Sequence, residues 1–280
     1  MGLFILVIII LIVVNAGMST MRYTDEEATS YFDEKSFKGK VETIPINGRD
    51  VKIVTEDLQE SDSILIVFVH GAPGTWDAFK DFMVDKNISD RARVIAYDRP
   101  GYGGSGSEAM PSIKQQAEIL KEILNKFGLQ KNVLVGHSYG GPIVAYPGLE
   151  ENGNTDAVIM IAPLIDPVSE PLHWYSYFSY WKLTSWLLPS ELVVAGSEKF
   201  AHASELELMK DKWQDPKASI VHVHGLKDAL APGKENLDFS KQNIPQQFLK
   251  SISYDDKGHL LIWSDFELMK EIILETINES

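Results

Sequence analysis

The sequence contains no cysteine, which excludes disulfides, thiolate metal sites and a cysteine nucleophile together. Positive charge is also scarce. Lys and Arg number 26 against 40 Asp and Glu, a formal net charge of −14. A chain that acidic repels a phosphate backbone, so no nucleic-acid partner is expected. No repeat period and no long low-complexity tract runs through the 280 residues, a length that suits one large domain or one domain with an insert. Charge is missing altogether from the first 21 residues, where Leu3 to Val14 is an unbroken apolar run. Such a run fits a secretory signal, with Asn15-Ala16-Gly17 offering small residues for cleavage, or an anchor if Gly2 to Met21 crosses the bilayer. Residues 1–21 are therefore expected to be a hydrophobic anchor or signal segment. A membrane-anchored or exported protein is the expectation from that, with its folded part extracytoplasmic.

From residue 22 onward the chain turns polar and then alternates strands with helices. Residues 22–40 are polar and acidic and read as a connector, with a folded domain over 41–280. Val41–Ile46 and Val51–Thr55 flank Asn47-Gly48, a pair that accepts positive φ and so marks a hairpin. Ile64–Val69 is continuously apolar, as a strand covered on both faces should be. Arg93–Tyr97, Asn132–Val135, Ala157–Ile161 and Ser219–Val223 repeat that pattern, and Phe248–Tyr254 is a weaker last strand. Ser112–Phe127 reads as a helix, with Ser112 and Gln115 placed as a capping box and Gly128 beyond its end. Ser264–Ile277 reads the same way, with Ser264 and Glu267 at the box positions. Strands alternating with helices predict an α/β fold with a mostly parallel sheet. The alternation breaks between about 166 and 204, where aromatics crowd together and Trp174, Trp181 and Trp186 occur. About forty residues are too many for an ordinary loop, so a short helical cap is expected there. Most of its aromatics should pack the cap onto the domain, with a minority facing a ligand.

Three residues stand in positions suited to one chemistry. Gly136-His137-Ser138-Tyr139-Gly140 follows an apolar strand and precedes a helix-like stretch, Gly141 to Tyr146. That is the context of a nucleophile elbow, where a serine sits on a sharp strand-to-helix turn. Serine needs a base and an orienting acid. Asp228 comes just after the strand Ser219–Val223, and His259 lies between the last strand and the last helix, in the order Ser, Asp, His. Asp166, beyond another strand end, is the second candidate for the acid. His70-Gly71-Ala72-Pro73-Gly74 follows Ile64–Val69 and suits an oxyanion turn. The backbone N–H groups of Ala72 and Tyr139 are the expected donors, because Pro73 has no N–H. Trp76, Trp174 and Trp181 are the candidate substrate-binding aromatics. His222 and His224 share a strand face without an evident carboxylate or cysteine partner, so no metal site is expected.

His70-Gly71-Ala72-Pro73-Gly74, Asp98-Arg99-Pro100-Gly101-Tyr102-Gly103-Gly104-Ser105, the elbow, Asp228 and His259 together resemble the α/β-hydrolase superfamily, over about Val41 to Ile277. The resemblance implies an eight-stranded, mostly parallel sheet flanked by helices, with a helical lid. The HG-x-PG and DRPGYG segments are similar to the epoxide hydrolase, haloalkane dehalogenase and proline iminopeptidase branches. The first two of those use aspartate at the elbow, whereas this chain carries Ser138. Proline iminopeptidases usually read HGGPG, whereas this chain has Ala72. The expected activity is a serine hydrolase working through an acyl-enzyme on carboxylic esters, with no cofactor and a small-molecule ester or amide as partner. An iminopeptidase-like aminopeptidase is the rival, with Glu170, Glu191 or Glu198 in the cap as the amine anchor. A ligand-binding protein with little turnover is the rival of another class.

Overall fold

A computed structural model of the chain describes residues 22–57, 63–172 and 176–279. The first two strands, β1 (Gly39–Ile46) and β2 (Arg49–Glu56), form an antiparallel hairpin. Its turn is Asn47-Gly48, both at positive φ (49° and 76°), the backbone that a two-residue turn joining right-twisted strands requires. The remaining strands are β3 (Ile64–Val69), β4 (Arg93–Tyr97), β5 (Lys131–His137), β6 (Ala157–Ile161), β7 (Ser219–Gly225) and β8 (Leu249–Tyr254). Their order across the sheet is β1-β2-β4-β3-β5-β6-β7-β8. β2 meets β4 antiparallel, and every pair from β4 to β8 is parallel. The sheet is thus eight-stranded and mostly parallel, as the strand pattern predicts.

Parallel neighbours need crossover connections, and the helices in them cover both faces. Along β5 the side chains alternate: Leu134 packs on one face, Val133 and Val135 on the other, as a two-residue repeat demands. The Leu134 face is covered by α4 (Ile113–Phe127), α5 (Gly140–Gly148) and α9 (Gly233–Asn243). The opposite face holds α1 (Asp25–Lys35), α2 (Lys80–Val84), α3 (Lys86–Ser89), α10 (Leu261–Ser264) and α11 (Phe266–Glu279). Between β6 and β7 lie α6 (Ser176–Tyr180), α7 (Lys182–Ser185) and the longer α8 (Ser190–Met209). These three helices occupy the region expected to form a cap, and α8 continues past 204 to Met209.

Three local expectations change. The stretch 22–40 holds a real helix, α1, whose Ala28 and Phe32 are buried. Thr24 and Glu27 make its capping box, with Glu27 N–H on Thr24 Oγ1 at 3.2 Å and Thr24 N–H on Glu27 Oε2 at 2.8 Å. At the N-terminus of α4, Ser112 Oγ accepts from Gln115 N–H at 3.4 Å as expected, but the reciprocal acceptor is Glu205 of α8, which takes Ser112 Oγ at 2.8 Å and Ile113 N–H at 2.9 Å. The last helix starts at Phe266, because Leu261–Ser264 makes a separate turn and the Ser264 hydroxyl bonds Asp265.

The expected membrane-anchored or exported location is also corrected. Among the described residues no helix is long and apolar enough to cross a membrane. α8, at 20 residues, has the length for a span but carries Glu191, Glu198, Lys199, Glu205 and Glu207. Leu3–Val14, on which the expectation rested, lies outside the described residues.

Candidate functional site

The elbow places Ser138 at the carboxyl edge of β5. Its φ is +54°, in the left-handed region that non-glycine residues avoid. Two glycines permit the turn. A Cβ on Gly136 would lie 2.4 Å from the carbonyl of Gly140, and one on Gly140 would lie 2.2 Å from the carbonyl of Val69. Close approach of strand, turn and helix therefore requires bare backbone at both places. The Ser138 N–H is held by Ile161 O at 3.0 Å, and Ser138 O accepts from Gly141 N–H at 2.9 Å.

The loops after β7 and β8 bring the other two candidates to this turn. His259 Nε2 stands 2.9 Å from Ser138 Oγ, and His259 Nδ1 stands 2.7 Å from Asp228 Oδ2. A carboxylate only accepts, so Nδ1 carries the proton and Nε2 is left to accept from the serine hydroxyl. Asp228 Oδ1 takes backbone N–H groups from Leu230 at 2.9 Å and Ala231 at 2.8 Å. Burial alone would raise the Asp228 carboxyl, but hydrogen bonds from His224 and His259 outweigh it and hold the group far below the usual carboxylate range. His137, next to the serine, is engaged elsewhere. Its Nε2 donates to the His259 carbonyl at 3.1 Å and its ring packs on Trp263 at 4.9 Å. Burial, then the charge of His259, push His137 down to about 3.

A cavity of about 500 Å3 opens over Ser138. Ala72, Pro73, Tyr139 and His259 line it beside the serine, and Leu164, Phe178, Leu188, Leu192 and Leu230 line it together with Glu170 and Lys199 of the cap. Ala72 and Tyr139, whose N–H groups are the expected oxyanion donors, both line this cavity. Trp76 does not reach the cavity: it is 1% exposed and packs on Phe32 and Tyr23. The short helical turn Trp76–Phe79 points its ring into the core. Trp181 is 55% exposed, packs on Tyr177 and stands away from the cavity wall. Trp174 lies outside the described residues. Asp166 is engaged locally, its Oδ1 accepting from Val168 N–H at 3.0 Å.

Sequence reasoning missed the connection between the cap and the Gly71–Ala72 turn. Arg99 is fully buried. It donates to His70 O and Gly71 O, both at 2.9 Å, to Gln116 Oε1 at 2.7 Å, and to both oxygens of Glu198 at 2.6 and 3.2 Å. Tyr102 Oη and Gln116 Nε2 complete Glu198 at 2.6 and 2.8 Å. Asp98 braces the neighbouring loop through the N–H groups of Trp76 and Gly104, each at 2.8 Å, and burial pushes its carboxyl up to about 6. The Asp-Arg-Pro-Gly run gave a sign that this loop matters. Its partner Glu198 stands 99 positions beyond Arg99, and nothing in one sequence pairs the two.

Comparison with known proteins agrees with this architecture. A family profile described as the alpha/beta hydrolase fold matches residues 64–188. Among curated proteins, epoxide hydrolase 4 of Mus musculus is 35% identical over 91 residues, 30% of this chain and 25% of that protein. The chain thus spans about a quarter of the length of that relative. A crystal structure of a candidate aryl esterase from Burkholderia cenocepacia superposes with a TM-score of 0.70 at 19% identity, covering 85% of this chain and 98% of the other. An epoxide hydrolase from Vigna radiata gives a TM-score of 0.69 at 15% identity, covering 87% and 98%. At such identities the two structures speak for the fold alone. The eight-stranded sheet, the family profile and these neighbours agree: the chain is a protein of the α/β-hydrolase fold.

Proposed function

We propose that this protein is a serine hydrolase that cleaves carboxylic esters through an acyl-enzyme on Ser138. The observation that carries the reading is the contact chain Ser138–His259–Asp228, at 2.9 and 2.7 Å, beside a mainly apolar cavity. His259 Nε2 takes the hydroxyl proton as Ser138 Oγ attacks the ester carbonyl carbon. The charge that develops on the carbonyl oxygen is received by the N–H groups of Ala72 and Tyr139. His259 then passes its proton to the departing alkoxide, and the C–O bond breaks to leave an acylated serine and an alcohol. Water, losing a proton to His259, attacks the acyl carbon and releases the acid. Asp228 keeps the histidine in the accepting tautomer throughout.

Two rival activities fit the site less well. Epoxide opening in this superfamily relies on an aspartate at the elbow, and the elbow residue here is Ser138. An aminopeptidase needs a carboxylate free to hold the substrate amine, and all three candidate acids of the cap are engaged. Glu198 is bound by Arg99, Glu191 pairs with Arg22, and Glu170 pairs with Lys199.

The test is a fluorophosphonate probe with peptide mapping, alongside p-nitrophenyl acetate, a prolyl-anilide and styrene oxide as substrates. Labelling at Ser138 with turnover of the ester is the expected result. Turnover of the anilide or the epoxide without the ester would overturn the ester reading. No labelling of Ser138 and no turnover would leave a binding protein on this fold.

A further inference from the structure

Asp228 has a second histidine behind it. His222 and His224 sit two positions apart on β7, hence on one face of the strand, and both are completely buried. His224 Nε2 lies 3.2 Å from Asp228 Oδ2 and 3.0 Å from Ala231 O. Both neighbours are acceptors, so that nitrogen carries a proton. His224 Nδ1 faces His222 Nε2 at 3.0 Å, and His222 Nδ1 faces Ser240 Oγ of α9 at 2.6 Å. A continuous line therefore runs from Ser240 through both imidazoles to the oxygen that His259 uses.

Packing alone does not account for that line. Two apolar side chains would fill the same volume without the cost of burying polar rings. Holding the carboxylate in place does not require it either, because Oδ1 is already fixed by two backbone N–H groups. What His224 adds is a donor on Oδ2. An oxygen that serves two N–H donors offers less charge to each. We infer that His224 is a positioning residue: through the shared Oδ2 it moderates the hold of Asp228 on His259, with His222 and Ser240 fixing the proton arrangement of His224. The inference rests on the hydrolase reading for its consequence in turnover.

The groups that face this line are few. His137 of β5 packs on His259 with ring centroids 4.9 Å apart, and Lys241 of α9 acts on His222. Burial pushes His137 down to about 3 and holds His222 well below the ordinary histidine range, the latter helped by His224 and Lys241. Neither changes charge near neutral pH.

His224→Phe removes the donor, and His224→Gln places an amide N–H where Nε2 stands. The experiment measures kcat and KM for p-nitrophenyl acetate across pH, with circular dichroism to confirm folding. For His224→Phe the expected result is a kcat about 10-fold lower, the lower end of what outer partners of metal-bound histidines contribute. KM should be unchanged, and the acid limb should move to higher pH because Oδ2 now serves His259 alone. His224→Gln should restore both. A folded His224→Phe with the wild-type kcat and limb, or a His224→Gln that behaves like the Phe variant, overturns the inference. Should the Phe variant fail to fold, 15N spectra of the histidines of the unsubstituted protein decide. The His224 Nε2 resonance should inflect at the same pH as those of His259, and absence of that inflection overturns the inference. This last measurement needs no turnover. Failure of the hydrolase reading would show separately, as no labelling of Ser138.

Discussion

Ser138 lies between two buried polar assemblies that differ in where they end. On the β7–β8 side, Asp228 and His259 form a chain that arrives at the serine oxygen. On the β3–β4 side, Arg99 and Glu198 form a knot whose donors and acceptors are taken up internally and by the His70–Gly71 backbone. The second is fully buried and closed, whereas the first has an outlet at the partly exposed His259. An assembly with an outlet can move a proton to a reacting atom. A closed one can only hold its elements together, here the cap helix α8, the helix α4 and the turn before Ala72.

Substitutions should separate the two assemblies cleanly. The largest loss belongs to Ser138→Ala, which should reduce kcat on the order of 10^6-fold with the fold intact, as for other triad serines. Residual turnover above about a hundredth of the original would remove the serine from the mechanism. Asp228→Asn comes next, on the order of 10^4-fold in kcat through the wrong His259 tautomer. Asp166→Asn should stay within about threefold, since its side-chain contact is local to Val168 and substitutions away from core and site cost little. If the two aspartates exchanged ranks in the assay, the acid would be wrongly assigned. In the closed assembly the effect should move from rate to stability. Glu198→Ala leaves Arg99 buried without its counter-charge and should cost about 3–5 kcal/mol in denaturant unfolding, with the folded fraction keeping kcat within about tenfold. A kcat loss matching that of Asp228→Asn would erase the distinction between the two sides.

A smaller effect concerns pH. His137 is depressed to about 3 by burial and by the charge of His259, below its ordinary value of 6.5. Its contribution to stability is therefore present above about pH 6.5 and lost as pH falls toward 3, at up to about 1.4 kcal/mol per pH unit for one proton. His137→Gln, which is neutral throughout, should show a correspondingly shallower loss of stability between about pH 6 and 4. Identical acid transitions in the two proteins would mean that His137 does not take up that proton.

Much of this was readable from residues whose role is local. Ile64–Val69 is apolar throughout and became a central strand; Asn47-Gly48 needs positive φ and became the hairpin turn; Gly136 and Gly140 bracket the elbow because backbone must touch backbone there. Order along the chain was enough to nominate Asp228 and His259, and the geometry brings both to Ser138. What stayed hidden depends on direction or distance. Trp76 stands shortly after His70 and looked like a pocket aromatic, but its helical turn points the ring toward Phe32. Trp181 lies on the outside of the cap for the same kind of reason, since composition does not say which face a short helix presents. Glu198 and Glu205 look like ordinary surface acids of a helix until α8 is laid against Arg99 and the start of α4. The Thr24-x-x-Glu27 box is a legible sign of α1, while the apolar periodicity that usually betrays a helix is weak there, with only Ala28 and Phe32 buried.

The left-handed backbone of Ser138 has a consequence for how the fold bears its own site. A residue with a Cβ loses about 1 kcal/mol or more by sitting at φ +54°, and alanine at 138 would bear that strain as serine does. Glycine would not. Ser138→Gly should therefore be no less stable in thermal unfolding than Ser138→Ala, and more stable by about 1 kcal/mol less the entropy glycine adds to the unfolded chain. A Ser138→Gly protein less stable than Ser138→Ala by the full entropic cost of glycine would show the turn to be relaxed. Selection for thermal endurance alone would replace this residue first, so its retention would be a compromise between lasting and working.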